Sequence, residues 1–185
     1  MLSHKGTVAI KTDRLVLRRF YPDDADAMFA NWANDCRVTK YMTWTPHGSV
    51  ELTRQLIALW CERYEKSDYY NWCITRNGIP IGSISAVEID DKSEYAGLGY
   101  CSGYDYWGNG YMTEAVGAVI KFLFEEVNVN RIEIGHATKN PASGKVAEKC
   151  GFTLEGVKRE FFRSPNTGEF LDIAFLSILK SEYTK

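Results

Sequence analysis

Apolar and polar residues alternate with two different periods along this chain. A period of two, or a short continuous apolar run, predicts strands over residues 14–20, 69–76, 80–89, 95–101 and 131–137. Asn77-Gly78 separates the second and third of these runs, which is a strong signal for a β-hairpin. A late pair of apolar runs flanks residues 164–168 and predicts a second hairpin.

A period of three to four residues predicts the helices. One helix begins at Pro22 and runs to about Asn34, and another begins at Ser49. The second helix carries an apolar stripe of Leu52, Leu56, Leu59, Trp60 and Tyr64. A third stripe begins at Ala115 and recurs to Val127: Ala115, Val116, Val119, Ile120, Leu123 and Val127. Strands and helices therefore share the chain.

Residues 107–112 join the strand ending at Cys101 to the third helix, and we call them the glycine cup. Gly108 and Gly110 permit positive φ and a close approach of ligand to backbone. The first amides of a helix have no partner within it and attract anions. The cup is therefore a candidate pyrophosphate site. The cup does not match the dinucleotide-binding motif, because Thr113 stands where the third glycine is needed. The chain also has no phosphate-loop motif, because its only Gly-Lys pair, at Gly144, is not followed by Ser or Thr.

A second segment, residues 140–152, follows the strand at residues 131–137. Asn140 is expected to cap a short helix, Pro141 to fill its first position, and Gly151 to end it. The order is therefore strand, glycine cup, helix, strand, Asn-capped helix and strand.

These two segments resemble the GNAT superfamily of acetyl-coenzyme A-dependent N-acetyltransferases. The matching patterns are Trp-Gly-Asn-Gly-Tyr-Met-Thr-Glu-Ala at residues 107–115 and Asn-x-x-Ser-x-x-Val-x-Glu-Lys-x-Gly-Phe at residues 140–152. Residues 12–19, 23–26 and 81–84 and Asp172 are similar to the branch that contains the ribosomal-protein N-terminal acetyltransferases. The resemblance covers roughly residues 12 to 180 and leaves the acceptor open.

The resemblance implies an α/β (α+β) fold with a mixed, mostly antiparallel sheet and helices on both faces. The strand before the glycine cup and the strand ending near Thr138 would start parallel and splay apart, and pantetheine would enter the gap. Acetyl-CoA is then the cosubstrate and an amine the acceptor. The cofactor-binding residues implied are Tyr100, Cys101, Ser102, Trp107, Gly108, Asn109, Gly110, Tyr111, Met112 and Asn140.

The chemistry of amide formation points to a base and a proton donor. A protein α-amine has a pKa of about 7.7–8.0 and a lysine-type amine about 10.4, so only the second strongly needs a base at neutral pH. Glu88 is the best carboxylate, expected on the same strand face as Ile84 and Ala86. Many superfamily members carry a tyrosine where this chain has Ala147. The ribosomal-protein branch resembles this chain in having a serine three residues after the asparagine, and the resemblance implies Ser143 as the group beside the leaving thiolate.

Composition limits the remaining possibilities. The 185 residues suggest a single domain, 1–185, and the net charge of −2 argues against a broad nucleic-acid-binding surface. Five scattered cysteines fit reduced thiols. No stretch is long and apolar enough for a membrane span, which favours a cytoplasmic protein. The histidines have no metal-ligand spacing, so no metal is expected, and pairing with a second copy stays open.

Three functions remain at this point. The first is an N-acetyltransferase acting by direct attack of a primary amine, of a ribosomal or other protein N-terminus or of a small molecule. The second is a non-catalytic acyl-coenzyme A sensor on the same fold, because the helical tyrosine is missing. The third, a nucleotide-dependent oxidoreductase, is disfavoured by the absent third glycine.

Overall fold

The computed structural model describes residues 2–183 and shows one eight-stranded sheet within them. The strands are β1 (Ile10–Lys11), β2 (Val16–Arg18), β3 (Asn71–Arg76), β4 (Ile79–Asp90), β5 (Tyr95–Ser102), β6 (Arg131–Ala137), β7 (Thr153–Arg163) and β8 (Phe170–Leu179). Their order across the sheet is β1-β2-β3-β4-β5-β6-β8-β7. Only the β5–β6 pair is parallel among these, so the predicted mixed, mostly antiparallel sheet is confirmed.

Five α-helices connect the strands in the described part of the chain. They are α1 (Ala25–Met28), α2 (Cys36–Thr39), α3 (Val50–Arg63), α4 (Tyr111–Phe122) and α5 (Pro141–Lys149). A 3-10 turn, Pro22–Asp24, precedes α1 and a π-helical turn, Phe29–Ala33, follows it, so the first predicted helix is one continuous helical run. A second π-helical turn, Leu123–Val127, extends α4.

Both predicted hairpins form. β3 and β4 are joined through Asn77 and Gly78, both at positive φ, as a tight hairpin turn requires. β7 and β8 pair along most of their length around the turn at residues 164–168.

Helices pack on both faces of the sheet, as the resemblance implied. One apolar cluster joins α4 and α5 to the face that carries Ile84, Leu98 and Ile134. The other packs Trp32, Ile57 and their neighbours from the first helical run and α3 against the opposite face. The sheet therefore separates two cores, and any cleft that opens through it connects two chemically different sides.

The prediction of an apolar stripe on α3 is wrong in part. Leu52 and Leu59 are 48% and 57% exposed, whereas Thr53 and Ile57 are fully buried. Thr53 is tolerated inside because its hydroxyl lies 2.8 Å from Nδ1 of the buried His47. The buried face of α3 is therefore centred on Thr53 and Ile57 and not on Leu52 and Leu59.

Candidate active site

The glycine cup ends a strand and opens a helix. Gly108 and Gly110 have φ of 76° and 77°, a conformation that costs other residues about 1–2 kcal/mol. Gly110 is the residue immediately before α4, which begins at Tyr111. The first amides of α4 therefore lie at the cup, where an anion would be stabilised by them and by the helix dipole.

A cluster from the start of the chain fixes the cup in place. Glu114 in α4 accepts hydrogen bonds from the Thr12 hydroxyl at 2.5 Å and from the Arg14 amide at 2.9 Å, and pairs with Arg14 Nε at 2.6 Å. Arg14 Nη1 also donates to the Asn109 carbonyl at 3.0 Å. Sequence reasoning missed this cluster, because its partners are about a hundred residues apart.

β5 and β6 separate beside the cup. Their parallel pairing ends at Leu98–Ile134, while β5 continues to Ser102 and β6 to Ala137. Successive amides of a strand point to opposite sides. The Gly103 amide donates to Ile81 in β4 at 2.9 Å, so the Cys101 amide also points to β4. The amides of Tyr100 and Ser102 then point into the gap, where the carbonyl groups of an extended ligand could accept their hydrogen bonds.

A cavity of about 600 Å³ occupies this gap and the mouth of the cup, and we call it the basic cavity. Four cationic side chains line it, Arg37, Lys40, Lys145 and Lys149, and none of its described lining residues is acidic. Ten predicted site residues line it: Tyr100, Cys101, Ser102, Trp107, Gly108, Gly110, Tyr111, Met112, Asn140 and Ser143. The predicted Asn109 instead bonds within the cup, through its side-chain amide to the Trp107 carbonyl at 3.0 Å.

A second cavity of about 730 Å³ lies against the other side of the gap, and we call it the aromatic cavity. Two carboxylates line it, Glu88 and Glu133, while none of its described lining residues is lysine or arginine. Its rings come from helices, loops and strands and include Trp32, Tyr41, Trp44, Trp60, Phe161 and Phe175. Its charge is thus opposite to that of the basic cavity.

Glu88 reaches the aromatic cavity through a β-bulge. Ala86 pairs with Leu98, whereas Glu88 pairs with Gly97, so Val87 is an extra residue between them. The expectation that Glu88 shares a face with Ala86 is therefore wrong. The extra residue turns Glu88 onto the face of Gly97, where a Cβ on that glycine would lie 3.5 Å from the Glu88 Cβ.

The two cavities meet at six shared residues: Tyr41, Met42, Tyr100, Cys101, Asn140 and Ser143. Within this junction the Ser143 hydroxyl donates to the Tyr100 phenol at 3.1 Å, and the phenol donates to the Ser143 carbonyl at 2.9 Å. Burial raises the pKa of Tyr100 to about 12, so the phenol stays protonated at neutral pH. A tyrosine therefore contacts the predicted serine from β5 although α5 has Ala147.

Asn140 precedes α5 as predicted, but its side chain makes no capping hydrogen bond. The Asn140 carbonyl accepts from the Ser143 amide at 3.2 Å, and Pro141 fills the first helical position. The expected side-chain cap is therefore wrong. Because the side chain is not used in this way, its amide group is available at the junction of the two cavities.

Asn166, in the turn between β7 and β8, holds the loop that borders both cavities. Its side-chain nitrogen contacts the carbonyls of Thr39, Met42 and Trp44 at 2.7, 3.4 and 3.0 Å. The sequence gives no signal for this contact beyond a turn-forming asparagine, because the partners lie more than 120 residues away. The turn thus positions the wall formed by residues 41–44.

Two further findings bear on chemistry. Within residues 2–183, no group of three or more His, Cys, Asp and Glu side chains could hold a metal ion. No helix in that range is long and apolar enough to cross a membrane.

Comparison with known proteins identifies the family. Residues 14–153 match the acetyltransferase (GNAT) domain. An N-acetyltransferase of Bacillus licheniformis, p20, is 32% identical over 174 residues, which cover 93% of this chain and 96% of that protein. The ribosomal-protein-serine acetyltransferase of Escherichia coli is 30% identical over 95 residues, 51% of this chain and 49% of that protein.

A solved structure of the microcin C7 self-immunity acetyltransferase MccE, in complex with acetyl-CoA and AMP, shares the fold. Its TM-score is 0.82, at 22% identity, over 91% of this chain and 93% of that one. The resemblance noted in the two motifs is thereby confirmed for the fold and for the family. The chain belongs to the GNAT family and is an acetyl-CoA-dependent N-acetyltransferase.

Proposed function

We propose that this chain, as a single domain of residues 1–185, transfers acetyl from acetyl-CoA to a primary amine by direct attack within a ternary complex. The amine is a protein N-terminal α-amine or belongs to a small molecule. The observation that carries the proposal is the junction: a basic cavity and an acidic, aromatic cavity meet at Tyr100, Cys101, Asn140 and Ser143.

The basic cavity suits the anionic cosubstrate. We place the pyrophosphate on the amides of residues 107–112, with Lys145 and Lys149 from α5 adding positive charge. The pantetheine arm then follows β5, where the amides of Tyr100 and Ser102 point into the gap, and Asn140 contacts the arm through its amide. Such positioning of the reactants alone lowers the activation free energy by several kcal/mol.

The thioester, at the tip of the arm, would lie where the gap closes near Leu98. Glu88 pairs with Gly97, the next residue of β5, and lines the cavity on that side. We assign Glu88 as the base that takes a proton from the attacking ammonium, directly or through water. For a lysine-type amine, deprotonation at pH 7 costs about 4.6 kcal/mol, against about 1 kcal/mol for an α-amine.

The leaving thiolate needs a nearby hydrogen-bond donor. The amine nitrogen bonds to the carbonyl carbon, the carbon–sulfur bond breaks, and the proton that the nitrogen loses as the amide forms ends on the sulfur, while the proton taken by Glu88 leaves to solvent. Ser143 is the assigned donor: Tyr100 donates to its carbonyl, and its hydroxyl, which otherwise donates to the Tyr100 phenol, turns its hydrogen to the sulfur. Because a thiolate is a good leaving group, we expect this contact to act mainly by positioning.

The test mixes the protein and acetyl-CoA with a panel of amines and follows the free thiol. The panel contains N-terminal peptides, because the related protein of Escherichia coli is a ribosomal-protein-serine acetyltransferase by name, together with amino acids, polyamines and simple alkylamines. Amine-dependent thiol release supports the proposal. Tight binding of acetyl-CoA in calorimetry with no turnover of any amine would favour the sensor instead.

A further inference from the structure

The aromatic cavity points to one class of acceptor. We propose that the acceptor is a primary amine with an aromatic or bulky apolar body and no carboxylate, such as an arylalkylamine. This inference rests on the proposed function, since it names the substrate of the same site. It follows from three properties of the aromatic cavity: its walls, its floor and its charge.

The walls are built of rings from both sides of the cleft. Trp44 lies 5.4 Å from the His47 ring on the helical side. On the strand side Phe161 meets Phe175 edge to face, with ring centres 5.5 Å apart. Ring walls stabilise an apolar body by burial and an ammonium through cation–π attraction. A volume of about 730 Å³ is within the range of sites that enclose small molecules.

The floor of the cavity is a strip of three glycines, Gly97, Gly99 and Gly135, from two neighbouring strands. A methyl group on Gly99 would lie 2.9 Å from Val87 Cγ1. One on Gly135 would lie 3.4 Å from both Ile173 and Phe175. Neighbouring side chains therefore cover the strip, Val87 over Gly99 and Ile173 with Phe175 over Gly135, so the floor presents apolar groups to a ligand.

The charge of the cavity selects a cation and opposes an anion. The Glu133 carboxylate is engaged already, by Arg131 at 2.7 Å and by the Tyr95 hydroxyl at 3.3 Å. Glu88 has no such partner among the described contacts and is left to face the substrate ammonium. The α-carboxylate of an amino acid would lie near Glu88, and no lysine or arginine is among the described lining residues to neutralise it.

Longer cationic acceptors fit this arrangement less well. A polyamine needs a second free carboxylate for its second ammonium, and Arg131 already occupies Glu133 while binding Glu155 at 2.5 Å. A polyamine also has no body to fill the ring walls. The aromatic cavity therefore favours a single ammonium attached to an apolar group.

The experiment measures kcat/KM for phenethylamine, phenylalaninamide and phenylalanine, which differ only at the α-carbon. Spermidine and an N-terminal peptide are run beside them. We expect the two amines without a carboxylate to exceed phenylalanine by at least about a hundredfold. We also expect them to exceed spermidine and the peptide.

A pair of variants tests the charge argument directly. Val87, 71% exposed on the bulge, lines the aromatic cavity, and Val87→Lys places a cation there. Val157→Lys is the matched control, because Val157 is 47% exposed on β7 and does not belong to the lining. Val87→Lys should reduce the preference for phenethylamine over phenylalanine about tenfold, and Val157→Lys should leave it unchanged.

Three outcomes would overturn the inference. Equal rates with phenylalanine and phenethylamine would show that the site accommodates a carboxylate. Its partner would then be Lys158, whose Nζ lies 4.3 Å from the Phe175 ring centre at the rim of the cavity. Acetylation of spermidine or the peptide in preference to the three phenyl compounds would refute the proposed class of acceptor but leave the proposed acetyl transfer standing. Bound acetyl-CoA with no acceptor at all would refute both.

Discussion

The two cavities differ in charge although one strand borders both. The basic cavity carries Arg37, Lys40, Lys145 and Lys149, while the aromatic cavity carries Glu88 and Glu133. A net charge of −2 for the whole chain conceals this separation. The difference matches the two reactants, because a coenzyme with phosphates and an amine that arrives as a cation are attracted to opposite ends of one cleft.

The comparison also shows how each cavity is built. The basic cavity rests on backbone: glycines at positive φ, helix amides and the open edge of β5. The aromatic cavity rests on side chains that are brought in by a loop, several helices and six of the strands, β3 to β8. Backbone geometry suits a cosubstrate shared by a whole family, and side chains suit an acceptor that changes from member to member.

The largest effect is expected at Glu88. With an alkylamine acceptor, Glu88→Gln should lower kcat/KM about a hundredfold, the usual contribution of a positioned base. The remaining rate should rise with pH as the amine loses its proton in solution. A pH–rate profile measures this, with Glu62→Gln, an exposed acid on α3, as the control. Full activity of Glu88→Gln would mean that another group or water alone is the base.

The next effect is expected in the basic cavity. Gly110→Ala should raise the dissociation constant of acetyl-CoA at least about tenfold, because alanine at φ of 77° costs about 1–2 kcal/mol, the free loop would leave this conformation, and binding would have to restore it. Gly117→Ala, within α4 and with open space at its Cβ, is the control. Isothermal calorimetry gives both constants. Unchanged affinity in Gly110→Ala would place the pyrophosphate elsewhere.

The junction gives a moderate effect. Ser143→Ala should lower kcat about tenfold, near 1.4 kcal/mol, with little change in acetyl-CoA affinity. Tyr100→Phe should lower it less, at every pH from about 6 to 9, because burial raises the pKa of Tyr100 to about 12 and the phenol does not ionise there. Since the two residues are in contact, the double variant should match Ser143→Ala alone. Additive losses would show two independent roles.

The smallest effect is expected at Asn166. Asn166→Ala removes contacts to three carbonyls and should raise the acceptor KM about threefold, with a smaller change in acetyl-CoA affinity, because Trp44 borders only the aromatic cavity. Asn130→Ala, at an exposed asparagine, is the control. If Asn166→Ala changes only the melting temperature, the contact stabilises the fold without shaping the site.

The sequence predicted the features that depend on local conformation. Paired glycines before an apolar helix indicate positive φ wherever they occur, and Asn77-Gly78 indicates a hairpin for the same reason. Part of the basic lining was also within reach of the sequence. Lys145 and Lys149 are four residues apart on α5 and so must share a helix face.

The sequence could not predict features decided by distant neighbours. The bulge at Val87 depends on how β4 pairs with β5, and no residue type within β4 indicates it. The predicted strand face of Glu88 was therefore wrong. The buried Thr53 depends on His47, and Tyr100 meets Ser143 only after the sheet and α5 have packed. Each case is a contact between segments whose approach the local pattern does not encode.

The place of β8 has a consequence for the order of assembly. β8 is the last strand along the described chain, yet it lies inside the sheet, between β6 and the edge strand β7. It also brings Phe175 to the aromatic cavity and follows the turn that holds residues 41–44. A chain still on the ribosome has its glycine cup before it has β8. The aromatic cavity is therefore complete only once β8 has been inserted between β6 and β7, because β7 joins the sheet through β8 alone among the described strands.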